Sequence, residues 1–234
     1  MSLVPIFHWM AVPPWLVNAA QLSVGPPPVS RLDRRKARTR QALIDAAIRL
    51  IAEGRGERAS IQEITETADI GFGSFYNHFT SKEQLFQVAS GDVLERWGQM
   101  IDRACAGISD PAELFAVSFR ISGLLGWTHP QVARFLTGAG LDVLDAPQGL
   151  APRALRDIRA GQAAGRFTVP DAEIALSAVA GGLLGLLRVR QNHPARLQEA
   201  AVDQLAEAVL RLLGIPAPEA SRLATLPLPT TGTW

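Results

Sequence analysis

Cysteine is nearly absent: Cys105 stands alone in 234 residues. An internal disulfide and a cysteine-based metal cluster are therefore excluded, and a reducing, cytoplasmic setting is expected. Lysine is almost as scarce, with Lys36 and Lys82 the two among 23 basic residues. Genome composition alone can produce such an arginine surplus, so it carries no functional weight. Charge of one sign is lacking too, the formal net charge being +1. That argues against a DNA-compacting protein, whose whole surface should be basic. No uninterrupted apolar run of about 18 residues occurs, so no transmembrane span and no membrane partner are expected. Residues 1–30 contain no Lys, Arg, Asp or Glu. Without a positive leading region they do not read as a signal peptide. Pro13, Pro14 and Pro26-Pro27-Pro28 oppose a helix there, so this stretch is expected to be a disordered or loosely docked extension.

What the chain has is helix-forming composition. Hydrophobic residues make up 47%, aromatics 6%, and Ala, Leu and Arg recur throughout; these are strong helix formers. From about Asp33 to Ala52, Leu43, Ala47, Leu50 and Ile51 form one stripe, and Asp45, Arg49 and Glu53 form an opposite, solvent-side row. Ser60-Ile61-Gln62-Glu63 reads as a capping box, with the Ser60 hydroxyl meeting the Glu63 amide and the Glu63 side chain returning to the Ser60 amide. A short helix is expected over 61–68. Asp69-Ile70-Gly71 then supplies a turn, and a second short helix follows over 72–78. Thr80-Ser81-Lys82-Glu83 caps a long helix to about residue 106. Further helices are expected over 111–125, 130–138, 152–164, 171–190 and 195–213, broken by Gly and Pro. Residues 216–234 are Pro-rich and read as a mobile tail. No strand-like alternation stands out.

Two short helices across a tight turn, preceded by a third, make a helix-turn-helix. The run Gly73-Ser74-Phe75-Tyr76-Asn77-His78-Phe79, followed by Ser81-Lys82-Glu83-Gln84-Leu85 and preceded by Ile64, Ala68 and Ile70, resembles the TetR/AcrR family of transcriptional regulators. The match extends back over Leu43-Ile44-Asp45-Ala46-Ala47 and covers about residues 34–90. A weaker likeness lies at Gly161-Gln162-Ala163-Ala164-Gly165-Arg166-Phe167. The resemblance implies an all-α chain: a helix-turn-helix DNA-binding domain over 31–80 and an effector-binding and dimerisation domain over 81–215. It further implies a homodimeric repressor released from a palindromic operator by a small molecule.

The residues make physical sense of that expectation. Ile64, Ala68, Ile70, Phe75 and Phe79 are spaced to form the core of the small unit. Arg38 and Arg40 belong to a basic cluster with Arg31, Arg34, Arg35 and Lys36, readable as a phosphate-binding arm or as a solvated charged face. Tyr76, His78 and Lys82 can reach phosphate oxygens, and Ser60 opens a helix whose first amides can do the same. Gln62 and Asn77 carry the paired donor and acceptor that read an adenine edge. Gly71, Gly73 and Ser74 complete the expected contact segment. Gly71 and Phe72 depart from the family pattern, where polar residues are usual. Phe72 either packs on a thymine methyl or folds back onto the core, and the sequence leaves both open.

In the downstream half, Trp97, Met100, Phe115, Phe119, Leu124, Trp127 and Phe135 could wall an effector pocket, with Arg120 and His129 as polar anchors. Such a wall suits a hydrophobic or aromatic effector. The small residues Ala175, Ala178, Gly181, Gly182 and Gly185 invite close helix approach, so the helices near 171–190 and 195–213 are expected to pair with their two-fold mates. No cofactor, metal site or catalytic residue is expected: His8, His78, His129 and His193 have no ligand spacing, and no phosphate loop or nucleophile–base pair occurs. A helical enzyme retaining a relic helix-turn-helix is the alternative from another class.

Overall fold

The computed structural model describes residues 30–53 and 55–229. The expected extension over 1–30 therefore lies almost wholly outside the described residues, as do Gly54 and residues 230–234. Among the described residues the secondary structure is helical throughout, with α1 (Arg31–Ala52), α2 (Ile61–Thr67), α3 (Lys82–Ala104), α4 (Pro111–Gly123), α5 (Leu125–Thr128), α6 (Pro130–Ala139), α7 (Leu150–Ala163), α8 (Ala172–Asn192), α9 (Ala200–Leu212) and α10 (Ala217–Ala224). Short 3-10 segments lie at Gly56–Arg58, Phe72–Asn77, Gly140–Asp145 and Pro194–Arg196. The described residues 30–38 belong to a unit separate from the rest. In it, Ser30 and Asp33 cap the start of α1 reciprocally: the Asp33 amide donates to Ser30 Oγ at 3.0 Å, and the Ser30 hydroxyl donates to the Asp33 carboxylate at 2.7 Å.

The expected caps largely form, because each needs only its own few residues. Ser60 Oγ accepts from the Glu63 amide at 3.1 Å, Ser81 Oγ from the Gln84 amide at 3.2 Å, and Asp110 Oδ1 from the Ala112 amide at 3.2 Å. Asp171 accepts from the amides of Glu173 and Ile174. The second arm of the Ser60 box does not form. The Glu63 carboxylate turns to the Arg55 guanidinium instead, where a full charge is met rather than one amide.

Two hydrophobic clusters organise the structure. One gathers Leu43, Ile44, Leu50, Ile64, Phe75, Phe79, Leu85 and Ala89. The other is built on α4, which packs against α7, α8, α9 and α10. α3 contributes to both: Leu85 and Ala89 belong to the first, and Trp97, Met100 and Ile101 to the second. Its attachment to α7 is ionic. Arg153 meets Glu95 with Nη1 and Nη2 at 2.7 and 2.8 Å, and Asp102 with Nε at 2.8 Å. Glu95 and Asp102 are two turns apart on one face of α3. The guanidinium lies so close to the helix backbone that a Cβ on Gly98 would sit 2.7 Å from Nη1. At the turn after α7, the amides of Arg166 and Phe167 both donate to the Gly161 carbonyl, at 2.8 and 3.1 Å. Gly165 takes φ +68° there, a left-handed conformation open to glycine. The Phe167 ring then stands edge-on to Phe115, with centroids 5.7 Å apart.

The expected mobile tail needs correction over its described part. Pro216 precedes α10 and Pro218 sits in its first turn, where a missing N–H costs nothing. Ala220, Leu223 and Ala224 are buried against α9 and α4. Arg166 ties the helix down by joining Asp110 at 2.8 Å and Glu219 at 2.5 Å.

Replacing Leu223 by Ala should lower unfolding stability by roughly 2–4 kcal/mol, as for other buried leucines, which urea denaturation would measure; a mobile segment would give no change. The Arg153 hydrogen bonds hold the Glu95 carboxyl down to about 2. A carboxylate depressed in the folded state stabilises above its unfolded pKa and loses that contribution as pH falls through the folded one. Glu95→Gln should thus be less stable than the parent near neutral pH. The two unfolding midpoints should converge as pH drops from about 4.5 towards 2.

Candidate nucleic-acid interface and effector cavity

The turn between the two short helices depends on one unusual backbone angle. Asp69 has φ +55°, a conformation that Asp tolerates better than most residues. The Ile70 amide then reaches the Thr65 carbonyl at 3.0 Å. Gly71 is extended, at φ −68° and ψ 140°, and caps the next segment without a side chain. That segment, Phe72–Asn77, is 3-10 rather than α-helical. Ser74 N–H bonds to Gly71 O at 2.9 Å and His78 N–H to Phe75 O at 2.9 Å. Gly73 weakens an α-helix in so short a segment, and the tighter i→i+3 pattern suits short pieces.

The segment has two sharply different faces. Phe75 and Phe79 point inward, at 0% and 2% exposure, against Ile64. Ala68 and Ile70 pack on the same cluster, partly buried. Outward stand Phe72 and Tyr76, 52% and 56% exposed, their rings edge-on with centroids 6.2 Å apart. Gly71, Gly73 and Asn77 are also exposed, while Ser74 and His78 are half-buried. Phe72 therefore does not fold back onto the core. Gln62 is exposed on α2, and its Nε2 donates to Glu66 Oε1 at 2.9 Å. Lys82 donates from Nζ to the Ala59 carbonyl at 3.3 Å, beside the exposed Ser60. Arg38 and Arg40 are exposed on α1, with the Arg40 guanidinium 4.9 Å above the Phe79 ring centre. Gln62 and Phe72 share a surface recess with Thr65, Glu66 and Ile70.

A cavity of about 80 Å³, measured as room for water centres, opens among α3, α4, α6, α7 and α8. A water needs roughly 10–15 Å³ on that measure, so the space suits a compact molecule of about one ring. Phe115, Phe119, Leu136, Leu176 and Leu183 form its apolar wall. Ser118, Ser122, Asp102, Arg153 and Asp157 supply polar groups. On α4 the lining residues fall at i, i+3, i+4 and i+7, a single helical face.

Of the residues singled out in the sequence, Phe115 and Phe119 line this space and the rest do not. Arg120 points the other way, pairing with Asp203 at 2.7 Å and donating to the Leu226 carbonyl at 2.5 Å. Trp97 meets His129 edge-on at 5.0 Å, and burial pushes the His129 imidazole below its ordinary pKa. Met100 is buried in the larger cluster. Trp127 lies beneath Arg190, whose guanidinium carbon is 5.0 Å from the ring centre. Leu124 sits half-buried at the junction of α4 and α5. Phe135 packs instead on the helix-turn-helix cluster. Sequence reading missed the polar wall. Its signals were Arg153 and Asp157 one turn apart on α7, and Ser118 and Ser122 interleaved with the two phenylalanines of α4.

The carboxylates of that wall differ in character. Burial pushes Asp102 up, but hydrogen bonds from Arg153 and Arg156 outweigh it and hold the group below its ordinary value. Burial dominates at Asp157, raising its pKa despite a hydrogen bond from Arg156 at 2.9 Å. A ligand entering here meets one firmly ionised acceptor, one acceptor that protonates more readily, and a guanidinium.

Comparison with known proteins agrees with both halves. Residues 43–89 match the family described as bacterial regulatory proteins, tetR family, and residues 110–225 match the tetracyclin repressor-like C-terminal domain. The HTH-type nicotine-responsive transcriptional repressor HdnoR of Paenarthrobacter nicotinovorans is 33% identical over 96 residues, 41% of this chain and 45% of that protein. The transcriptional repressor KstR2 of Rhodococcus jostii (strain RHA1) is 32% identical over 110 residues, 46% of this chain and 53% of the relative. The chain thus aligns with about half the length of these curated relatives. The crystal structure of RolR in complex with its ligand resorcinol superposes with a TM-score of 0.74 at 33% identity, covering 85% of this chain and 99% of RolR. The fatty acid degradation regulator FadR of Bacillus halodurans shares the fold at 20% identity, with a TM-score of 0.58 over 74% of this chain and 94% of FadR. An outward-facing helix-turn-helix joined to a helical domain with its own cavity, matched over both parts, identifies the chain as a member of the TetR family of transcriptional regulators.

Proposed function

We propose that this protein is an operator-binding repressor that acts in the cytoplasm and leaves DNA when a small hydroxylated aromatic molecule fills its cavity. The observation that carries the reading is the pairing of an apolar, ring-sized space with Asp102, Arg153 and Asp157 on one wall. A phenolic ring can lie between Phe115, Phe119 and Leu183 while its hydroxyls donate to the carboxylates. Likeness to the resorcinol-bound RolR over nearly all of that chain supports the same ligand class.

Two connections from the cavity support a coupling to DNA. Adjacent residues of α6 serve different neighbours: Leu136 lines the cavity and Phe135 packs on the helix-turn-helix cluster. α3 runs from Leu85 in that cluster to Asp102 at the cavity. A ligand that competes for Asp102 or Arg153 shifts α3 against α7. It changes the dimer equilibrium by its difference in affinity for the two arrangements.

The dimer is proposed to form through α8 and α9. Ile174, Ala178, Gly181, Gly185 and Val189 make an exposed stripe along α8, while its other face is buried in the chain. Among the described residues, nothing beyond the adjoining helix lies within 4 Å of a Cβ added at Gly181 or Gly185, so a second copy has room to approach closely. On α9, Leu212 is also exposed, at 48%. Symmetric pairing would present two recognition segments about 34–36 Å apart to a near-palindromic site.

Selecting bound duplexes from a random pool supplies the operator, and fluorescence anisotropy then follows its release. Resorcinol should release it at concentrations where benzene does not. Asp157→Asn or Arg153→Met should raise the required ligand concentration by about tenfold or more, as expected for a lost charge-assisted hydrogen bond; unchanged release would contradict the ligand assignment. On the DNA side, Tyr76→Ala should weaken operator and random duplexes alike, because phosphate contacts carry no sequence information. Gln62→Ala should mainly narrow the gap between them. Equal losses on both duplexes for Gln62→Ala would contradict its role.

A further inference from the structure

The recess shared by α2 and the recognition segment places three unlike groups together: the Gln62 amide, the Glu66 carboxylate and the Phe72 ring, floored by Thr65 and Ile70. We infer that Phe72 reads a thymine 5-methyl in the major groove, on the base pair that Gln62 reads as adenine or on its immediate neighbour. The inference rests on the operator-binding reading and specifies its sequence.

Phe72 is half exposed on the face that also carries Tyr76, and it makes an edge-on contact with that ring. A large apolar side chain is thereby held away from the core by its neighbours. Its ring offers no hydrogen bond. Placed over the amino group of cytosine or adenine, or over O6 of guanine, it would strip water from a polar edge and return nothing. The thymine methyl is the apolar group of the major-groove edge, so a ring at this position favours thymine and penalises the other bases.

Gln62 narrows the choice further. Its Nε2 already gives one hydrogen to Glu66 Oε1 at 2.9 Å. That bond orients the amide and leaves Oε1 as an acceptor and the second N–H as a donor. Adenine presents the complement, a donor at N6 and an acceptor at N7. Guanine presents two acceptors, one of which would oppose Oε1. Because Gln62 and Phe72 border one recess, the adenine edge and the thymine methyl they read lie within one base step. Each half-site is therefore expected to contain an A·T pair at the centre of its contacts. Glu66 acts here as a positioning residue.

The test uses the full-length protein and the operator obtained by selection. Each thymine is replaced in turn by deoxyuridine, which removes the methyl group and keeps base pairing. One thymine per half-site should cost about fourfold in affinity, as for a buried methyl group, and replacement in both half-sites about tenfold or more. Phe72→Ala, at an exposed position, should bind the two operators equally while circular dichroism shows the parent helix content. Phe72→Gln should shift the base preference at that position in a repeated selection. Indifference to deoxyuridine at every thymine would overturn the inference, as would Phe72→Ala retaining the parent's discrimination. A parent protein that enriches no duplex from the pool defeats the operator-binding reading itself, a result distinct from selective binding without methyl dependence.

Discussion

The geometry of the regulatory half depends on one guanidinium. Arg153 lies across α3 at Gly98 and joins Glu95 to Asp102 along two turns of that helix. The contact does two things at once. It fastens α7 to α3, and it brings a guanidinium to a cavity wall that also carries Asp102 and Asp157 beside apolar side chains. A charge so placed would be costly without partners. Here Glu95 and Asp102 of α3 and the Gly149 carbonyl surround it. Asp102 belongs to the clamp and to the cavity wall alike, so on the proposed reading a ligand that binds Asp102 perturbs the attachment of α3.

Under the proposed function, that arrangement lets a small molecule have a large consequence. α3 is shared between the two hydrophobic clusters, and α6 touches both the cavity and the smaller cluster through consecutive residues. Tightly packed helices do not bend smoothly; they shift between discrete arrangements. The helix-turn-helix itself stays intact in such a shift, because Phe75, Phe79 and Ile64 hold it from within. In the proposed dimer, what changes is its placement relative to a second copy. The recognition segment has an inner aromatic pair, Phe75 and Phe79, held in the core and an exposed outer pair, Phe72 and Tyr76, proposed to meet DNA.

Much of the fold was legible because its determinants are local. Ser60, Ser81, Asp110 and Asp171 cap helices through bonds to amides two or three residues on. Asp69 makes its turn through its own backbone angle. The C-terminal segment misled for the opposite reason. Pro216 and Pro218 read as helix breakers, although prolines at a helix start are neutral and Leu223 anchors the turns that follow.

By itself, the sequence determined the order of the helices up to α9, the inner face of the recognition segment and the family likeness, since each lies within a short stretch governed by periodicity and capping; the outward placement of Phe72 and the packing of α10 were decided by the tertiary structure. Tertiary structure decided where the cavity lies and what lines it. Arg120 and Arg153 give no sign of their partners in sequence, one the single cation of α4 and the other one of three arginines on α7. One closes onto Asp203, 83 residues away, and the other onto Glu95, 58 residues away. Which face of α4 meets the hollow, and which meets α9, depends on how separate helices pack, and no local pattern encodes that choice.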